Sequence, residues 1–232
     1  MRVNERDSDI ARMIARQGLV DTIALHRFFF EPYGLSMKAC ERIVTKLQRL
    51  GIVCSYTLFD SRKYYTLTPL GARLIDIPDR RAGQPFAAQG LINNYAIMSL
   101  CLHGPKKFRR LTRPEFVQGF PELVAPRVLG VTSYRTRYYV DDSDGEVRLG
   151  LFVGDYGRNI RRLHKKIRFE AQKRYEANAD WNGAVKTHMF SFTVLTFMES
   201  KAERIRKLLE RERFHSRVCV VESAIDLLPG DE

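Results

Sequence analysis

Residues Asp21–Leu74 read DTIALHRFFFEPYGLSMKACERIVTKLQRLGIVCSYTLFDSRKYYTLTPLGARL. Asp21 is a good helix N-cap, and Ile23, Leu25, Phe28 and Phe29 behind it are expected to face inward. Glu31-Pro32-Tyr33-Gly34 ends that helix, because proline lacks an N–H and glycine permits positive φ. Ser36 caps a second helix that runs to Leu50 and is closed by Gly51. Its apolar positions, Cys40, Ile43, Val44, Leu47 and Leu50, keep the helical period. The other side carries Met37, Lys38, Glu41, Arg42, Thr45, Lys46 and Arg49. Two β-rich runs follow, Ile52–Phe59 and Lys63–Thr68, split by the polar tip Asp60-Ser61-Arg62. Thr68-Pro69 then starts another helix, with Leu70, Leu74 and Ile75 expected to pack it on the core. Ahead of the stretch, Ser8–Gln17 reads as a helix with Asp7 or Ser8 as N-cap and Gly18 as its stop.

Helix, turn, basic helix and two-stranded hairpin, in that order, read as a winged helix-turn-helix. In such a module the second helix enters the DNA major groove by its N-terminal half. Lys38, Glu41, Arg42 and Thr45 are therefore expected near base edges, with Ser36 beside them at the helix start. Lys46 and Arg49 fall nearer phosphate. Arg62 and Lys63 in the wing are placed to touch the sugar-phosphate backbone or the minor groove. The competing readings are a solvated basic face on an ordinary helix and a winged helix used for protein contacts.

The bulk numbers agree with a polyanion partner. The chain has 232 residues, 44% of them hydrophobic, and a net charge of +12, so it can bury a core and still be strongly basic. Nucleic acid fits first and an anionic membrane surface second. The charge recurs in the second helix, in Lys106–Arg113 and in Arg158–Arg174. Cys40, Cys54, Cys101 and Cys219 form no C-x-x-C pair, so free thiols are expected rather than zinc. No cofactor or metal is expected. The N-terminus has no signal-peptide pattern and no run reaches membrane-span length, which points to a cytoplasmic protein without membrane contact.

Composition divides the chain into a DNA-binding domain at 1–77, a linker at 78–89 and an α/β domain at 90–232. The boundary is drawn at Ile77–Pro85, with two prolines and a glycine. Beyond it, Ala87–Cys101 reads as a buried helix. Lys106, Lys107, Arg109, Arg110 and Arg113 form a basic run suited to phosphate. Tyr134–Val140 and Val147–Val153 read as a hairpin, Gly157–Glu176 as a long basic helix, Met189–Met198 as a strand buried on both faces, Lys201–Arg213 as a helix and Val218–Val221 as a last strand. The expected class is α/β (α+β), a winged helix followed by a small α/β domain.

With both halves in view, the chain resembles the replication-relaxation family of bacterial mobile elements. The pieces that carry the resemblance are Ala24-Leu25-His26-Arg27-Phe28-Phe29, Tyr64-Tyr65-Thr66-Leu67-Thr68-Pro69-Leu70-Gly71 and the run Leu151–Tyr175. The resemblance implies a winged helix ahead of a degenerate restriction-endonuclease-like domain, and a role in replication, transfer or gene control. A nuclease of that class needs carboxylates at neighbouring strand ends to hold Mg²⁺, and a lysine. Asp142 (or Asp141) and Asp155 are the candidates. The residue two past Asp155 is Gly157, not lysine, and Lys165 and Lys166 lie turns away, so a catalytically silent domain is expected. His164, inside RRLHKK, reads as phosphate-facing or solvated. The expected function is site-specific binding of double-stranded DNA by a homodimer, as a regulator or as an accessory factor with a replication or transfer protein as partner. The alternatives are a metal-dependent nuclease using Asp142 and Asp155, and a nonspecific nucleic-acid-binding adaptor.

Overall fold

A computed structural model describes residues 4–58, 62–77, 82–103, 108–124, 134–142, 145–155, 159–177, 179–186, 189–212 and 215–221. The chain is mixed α/β and forms two compact units, 1–105 with 133–135, and 106–132 with 136–232. Among the described residues no helix is long and apolar enough to cross a membrane.

In the first unit, α1 (Glu5–Gln17) starts one turn earlier than its apolar stripe implies. Asn4 is the N-cap, accepting from the Asp7 N–H at 2.8 Å, so Asp7 sits inside the first turn and is fully buried. α2 (Thr22–Tyr33) is capped by Asp21, which accepts from the Ala24 N–H at 2.7 Å. It continues through Pro32 and ends at Gly34, where φ is 59°. Ala24, Leu25 and Phe29 are its buried residues; Ile23 and Phe28, expected inward, are exposed. α3 (Met37–Arg49) follows, with Ser36 accepting from the Ala39 N–H at 3.2 Å. Cys40, Ile43, Val44 and Leu47 are buried as the periodicity requires.

β1 (Val53–Thr57) and β2 (Lys63–Leu67) pair antiparallel, with Val53 opposite Leu67. Val20, between α1 and α2, exchanges both backbone hydrogen bonds with Tyr65, so the hairpin gains a short third member from the helical side. α4 (Pro69–Leu74) is capped by Thr68. Leu70 and Leu74 are exposed; the face that packs is Gly71 and Ala72. A Cβ on Gly71 would lie 2.1 Å from the Ile52 carbonyl oxygen, so only glycine allows this approach.

The sequence-drawn boundary moves. Part of the expected linker is tied to the hairpin: the Gly83 N–H donates to Leu67 O, the Tyr56 hydroxyl to Gly83 O, and the Phe86 N–H to the Tyr64 hydroxyl. α5 (Ala88–Leu102), assigned from sequence to the second domain, packs on α1 and α2. Its Tyr95 hydroxyl reaches the Asp21 carboxylate, and His103 lies 3.6 Å from the same group. Burial raises the Asp21 pKa, but His103 and the Ala24 N–H outweigh it and leave the carboxyl below its usual range.

The second unit is built on a five-stranded sheet in the order β3 (Arg109–Thr112), β4 (Arg135–Asp141), β5 (Arg148–Gly154), β6 (Phe190–Thr196), β7 (Ser216–Val220). β4 and β5 are antiparallel; β5, β6 and β7 are parallel. Every residue of β6 is buried, as a strand inside parallel pairs should be. α6 (Arg113–Gly119), α7 (Ile160–Tyr175), α8 (Ala179–Lys186) and α9 (Glu199–Leu209) supply a core with one sheet face: Phe116, Leu163, Ile167, Trp181 and Ile205 meet Tyr138, Leu151, Phe192 and Val194. On the other face the Tyr139 ring stacks on Phe152 at 4.3 Å and lies where a Gly150 side chain would be, its cross-strand partner.

Arg174 is buried within that core, 2% exposed. Its guanidinium lies 5.5 Å from the Tyr138 and Trp181 ring centroids and just under 6 Å from those of Phe190 and Phe192. It donates to the Glu170 carboxylate at 2.7 Å, to Glu170 O at 2.6 Å and to the Tyr138 hydroxyl at 2.8 Å. Arg137 donates to the same carboxylate at 2.9 Å. Burial alone would raise the Glu170 pKa; the hydrogen bond and charge of Arg174, then those of Arg137, bring it down to about 2.

Candidate nucleic-acid interface

The outward side of α3 collects seven of the residues singled out from sequence, but not all are available. Lys38, Glu41, Arg42, Thr45 and Arg49 are exposed, and with Lys46 and Leu50 they line a concave surface of about 550 Å³. The Ser36 hydroxyl serves the helix as its cap. Thr45 Oγ1 donates back to Glu41 O at 2.8 Å, which uses its proton and leaves its acceptor lone pairs. Lys46 places its ammonium on the buried Asp7 carboxylate. It therefore acts first as a counter-ion inside the unit, not as the phosphate contact its position on the helix implies. The side chains of Lys38, Glu41, Arg42 and Arg49 make no ion pair or hydrogen bond among the described residues. One acid and three cations are thus left facing outward.

The hairpin of the same unit carries two further cations. Arg62 and Lys63 are exposed at the start of β2, and Arg62 O accepts from the Leu58 N–H at 2.9 Å. Lys106 and Lys107 lie outside the described residues. The basic run around them divides by burial. Arg109 is half-exposed and pairs with Glu115 at 3.0 Å. Arg110, expected to meet phosphate, is 4% exposed and donates from Nε to Thr136 O at 2.8 Å. Position in β3 goes with the difference: Arg109 is the strand's first residue and exposed, whereas Arg110, Leu111 and Thr112 are all buried.

Topology separates the two carboxylates proposed for a metal. Asp141 pairs across the sheet with Arg148, at the start of β5, and Asp142 follows it; Asp155 follows the far end of β5. Seven residues of strand put these ends about 23 Å apart, several times what one Mg²⁺ can bridge. Both buried acids are also neutralised: Asp141 meets Arg217 at 2.6 Å and Asp155 meets Lys201 at 2.6 Å. Asp142 is exposed. Among the described residues no group of His, Cys, Asp and Glu could hold a metal ion. Asp142 and Asp155 therefore do not form one metal site. All four cysteines are unbridged, and burial pushes the Cys40 thiol up, away from the thiolate.

Sequence reading missed the use of α7. Its half-buried His164 is bonded to Glu212 beyond α9, so it is neither solvated nor free for phosphate. Its basic residues fall into two sets, Arg174 inside the core and the rest outside. The signal was present in the spacing, because position 174 falls on the same side as the apolar Leu163, Ile167 and Ala171. Comparison with family models, with characterised proteins and with solved structures finds no match for this chain.

Proposed function

We propose that the first unit is a winged helix-turn-helix and that the chain is a site-specific double-stranded DNA-binding protein. The observation that carries this reading is the outward face of α3, where Lys38, Glu41, Arg42 and Arg49 stand exposed and unpaired among the described residues. The Val20–Tyr65 bridge supports it, because it joins the helical part to the hairpin and so gives the wing a fixed base. In this reading α3 lies in the major groove and Arg42 bonds two acceptors of a guanine. Arg62 and Lys63 hold the backbone. The resemblance to replication-relaxation proteins extends the proposal to a mobile-element regulator or a replication or transfer factor, acting as a homodimer on paired half-sites. Sheared DNA from the source genome, incubated with the protein at about 0.15 M salt and sequenced after retention, tests it. Sharp peaks with inverted half-sites are the expected result. A flat profile removes site-specific reading and leaves α3 a nonspecific surface.

A further inference from the structure

α7 presents a second, chemically different surface. Its outward side carries exposed Arg161, Lys165 and Arg168 along one flank and exposed Arg162 and Lys166 with half-buried Lys173 along the other. None of these six makes an ion pair among the described residues. The helix's interior acid, Glu170, is turned away to Arg137 and Arg174. Between the flanks stands Phe169, 66% exposed, the most exposed large apolar side chain among the described residues. Positions 161 to 173 span about 18 Å along the axis.

A phenyl ring held in water costs free energy unless something covers it. A duplex offers this surface only phosphates, which the cations bind and the ring does not. A single strand offers both phosphates and unpaired base faces, and cations around an exposed aromatic are the usual elements of such sites. We propose that α7 binds single-stranded nucleic acid, with Phe169 stacking on a base and the flanking cations on the neighbouring phosphates. Partial desolvation, then the charge of Arg137, holds the Lys166 ammonium below its usual range, and an anion bound beside it would offset the second of these. This site is independent of the α3 reading.

The test uses the full chain carrying Lys38→Ala and Arg42→Ala, so that α3 does not contribute. Fluorescence anisotropy is read with a labelled oligothymidylate and with a labelled duplex of equal length. Oligothymidylate binding should survive the α3 substitutions, weaken about fivefold or more in Phe169→Ala, and persist in Phe169→Trp. Arg162→Gln with Lys166→Gln should lower the slope of log K against log salt by about 1.4. Phe169 is exposed, so circular dichroism should show these variants folded as the parent. The proposal is overturned if the parent ignores oligothymidylate, if Phe169→Ala leaves its affinity unchanged, or if that substitution weakens duplex equally. Phe169-dependent binding to phosphatidylserine vesicles, with none to oligothymidylate, would assign the surface to a membrane instead. Loss of duplex specificity with oligothymidylate binding intact would touch only the α3 reading.

Discussion

Replacing Glu170 by glutamine tests the account of the second unit's core. The carboxylate is buried against Arg174 and Arg137, and its pKa falls from an ordinary 4.5 to about 2 on folding. A group depressed in this way stabilises the fold fully above its unfolded value and loses the contribution as pH falls toward the folded value. The gap of about 2.5 pH units, at about 1.36 kcal/mol each, is roughly 3 kcal/mol at pH 7. Near pH 3 the unfolded carboxyl is protonated while the folded one is still mostly ionised, and the contribution shrinks to about 1.4 kcal/mol. Urea unfolding of Glu170→Gln and of the parent, at both pH values, should therefore show a stability difference that narrows by about 2 kcal/mol on acidification. Lost hydrogen bonds and altered packing shift both differences alike and cancel. A difference that stays constant between pH 7 and pH 3 would refute the assignment of the shift to this ion cluster.

The first unit makes its own predictions. Lys46→Ala should cost roughly 3 kcal/mol in urea unfolding, because it strips the counter-ion from buried Asp7, and adding Asp7→Asn should restore much of that; no rescue would mean that the pair is not the cause. Gly71→Ala should lower stability by about 2 kcal/mol or more, since the new methyl meets backbone that cannot retreat, and an unchanged thermal midpoint would contradict the packing of α4 on Ile52. Under the proposed function, Arg42→Ala should reduce discrimination between specific and scrambled duplex by about 1–3 kcal/mol, and unchanged discrimination would overturn the orientation given to α3. Arg62→Ala with Lys63→Ala should weaken all duplexes about equally and lower the salt slope by about 2, which a titration across salt concentrations reads directly.

What could be read in advance followed local rules. Asp21, Ser36 and Thr68 cap the helices they were expected to cap, because capping is decided within three residues. The α3 stripe and the doubly buried β6 were legible from periodicity. Failures came where a distant partner decides. Ile23, Phe28, Leu70 and Leu74 are apolar yet exposed, while Gly71 packs through its smallness against the Ile52 carbonyl, nineteen residues earlier and brought there by the hairpin. Arg110 and Arg174 look like surface cations and are buried by partners on other elements, Thr136 in one case and four aromatic rings in the other. β3, α6 and α8 were missed because they are short, and α5 was assigned to the wrong unit because Asp21 and Tyr95 lie far apart in sequence. The metal-site idea failed on strand direction, since spacing along a hairpin brings residues close in number while sending them to opposite ends of a sheet.

Under the proposed function, the Asp7–Lys46 pair bears on how DNA preference could change over evolutionary time. Positions 38, 41, 42 and 49 can drift with little penalty to folding, because their side chains hold nothing else in place. Position 46 sits among them on the same helix but answers to a carboxylate thirty-nine residues earlier. A lineage acquiring a new target would be expected to vary the first set and to retain a cation at 46 for as long as an acid remains at 7.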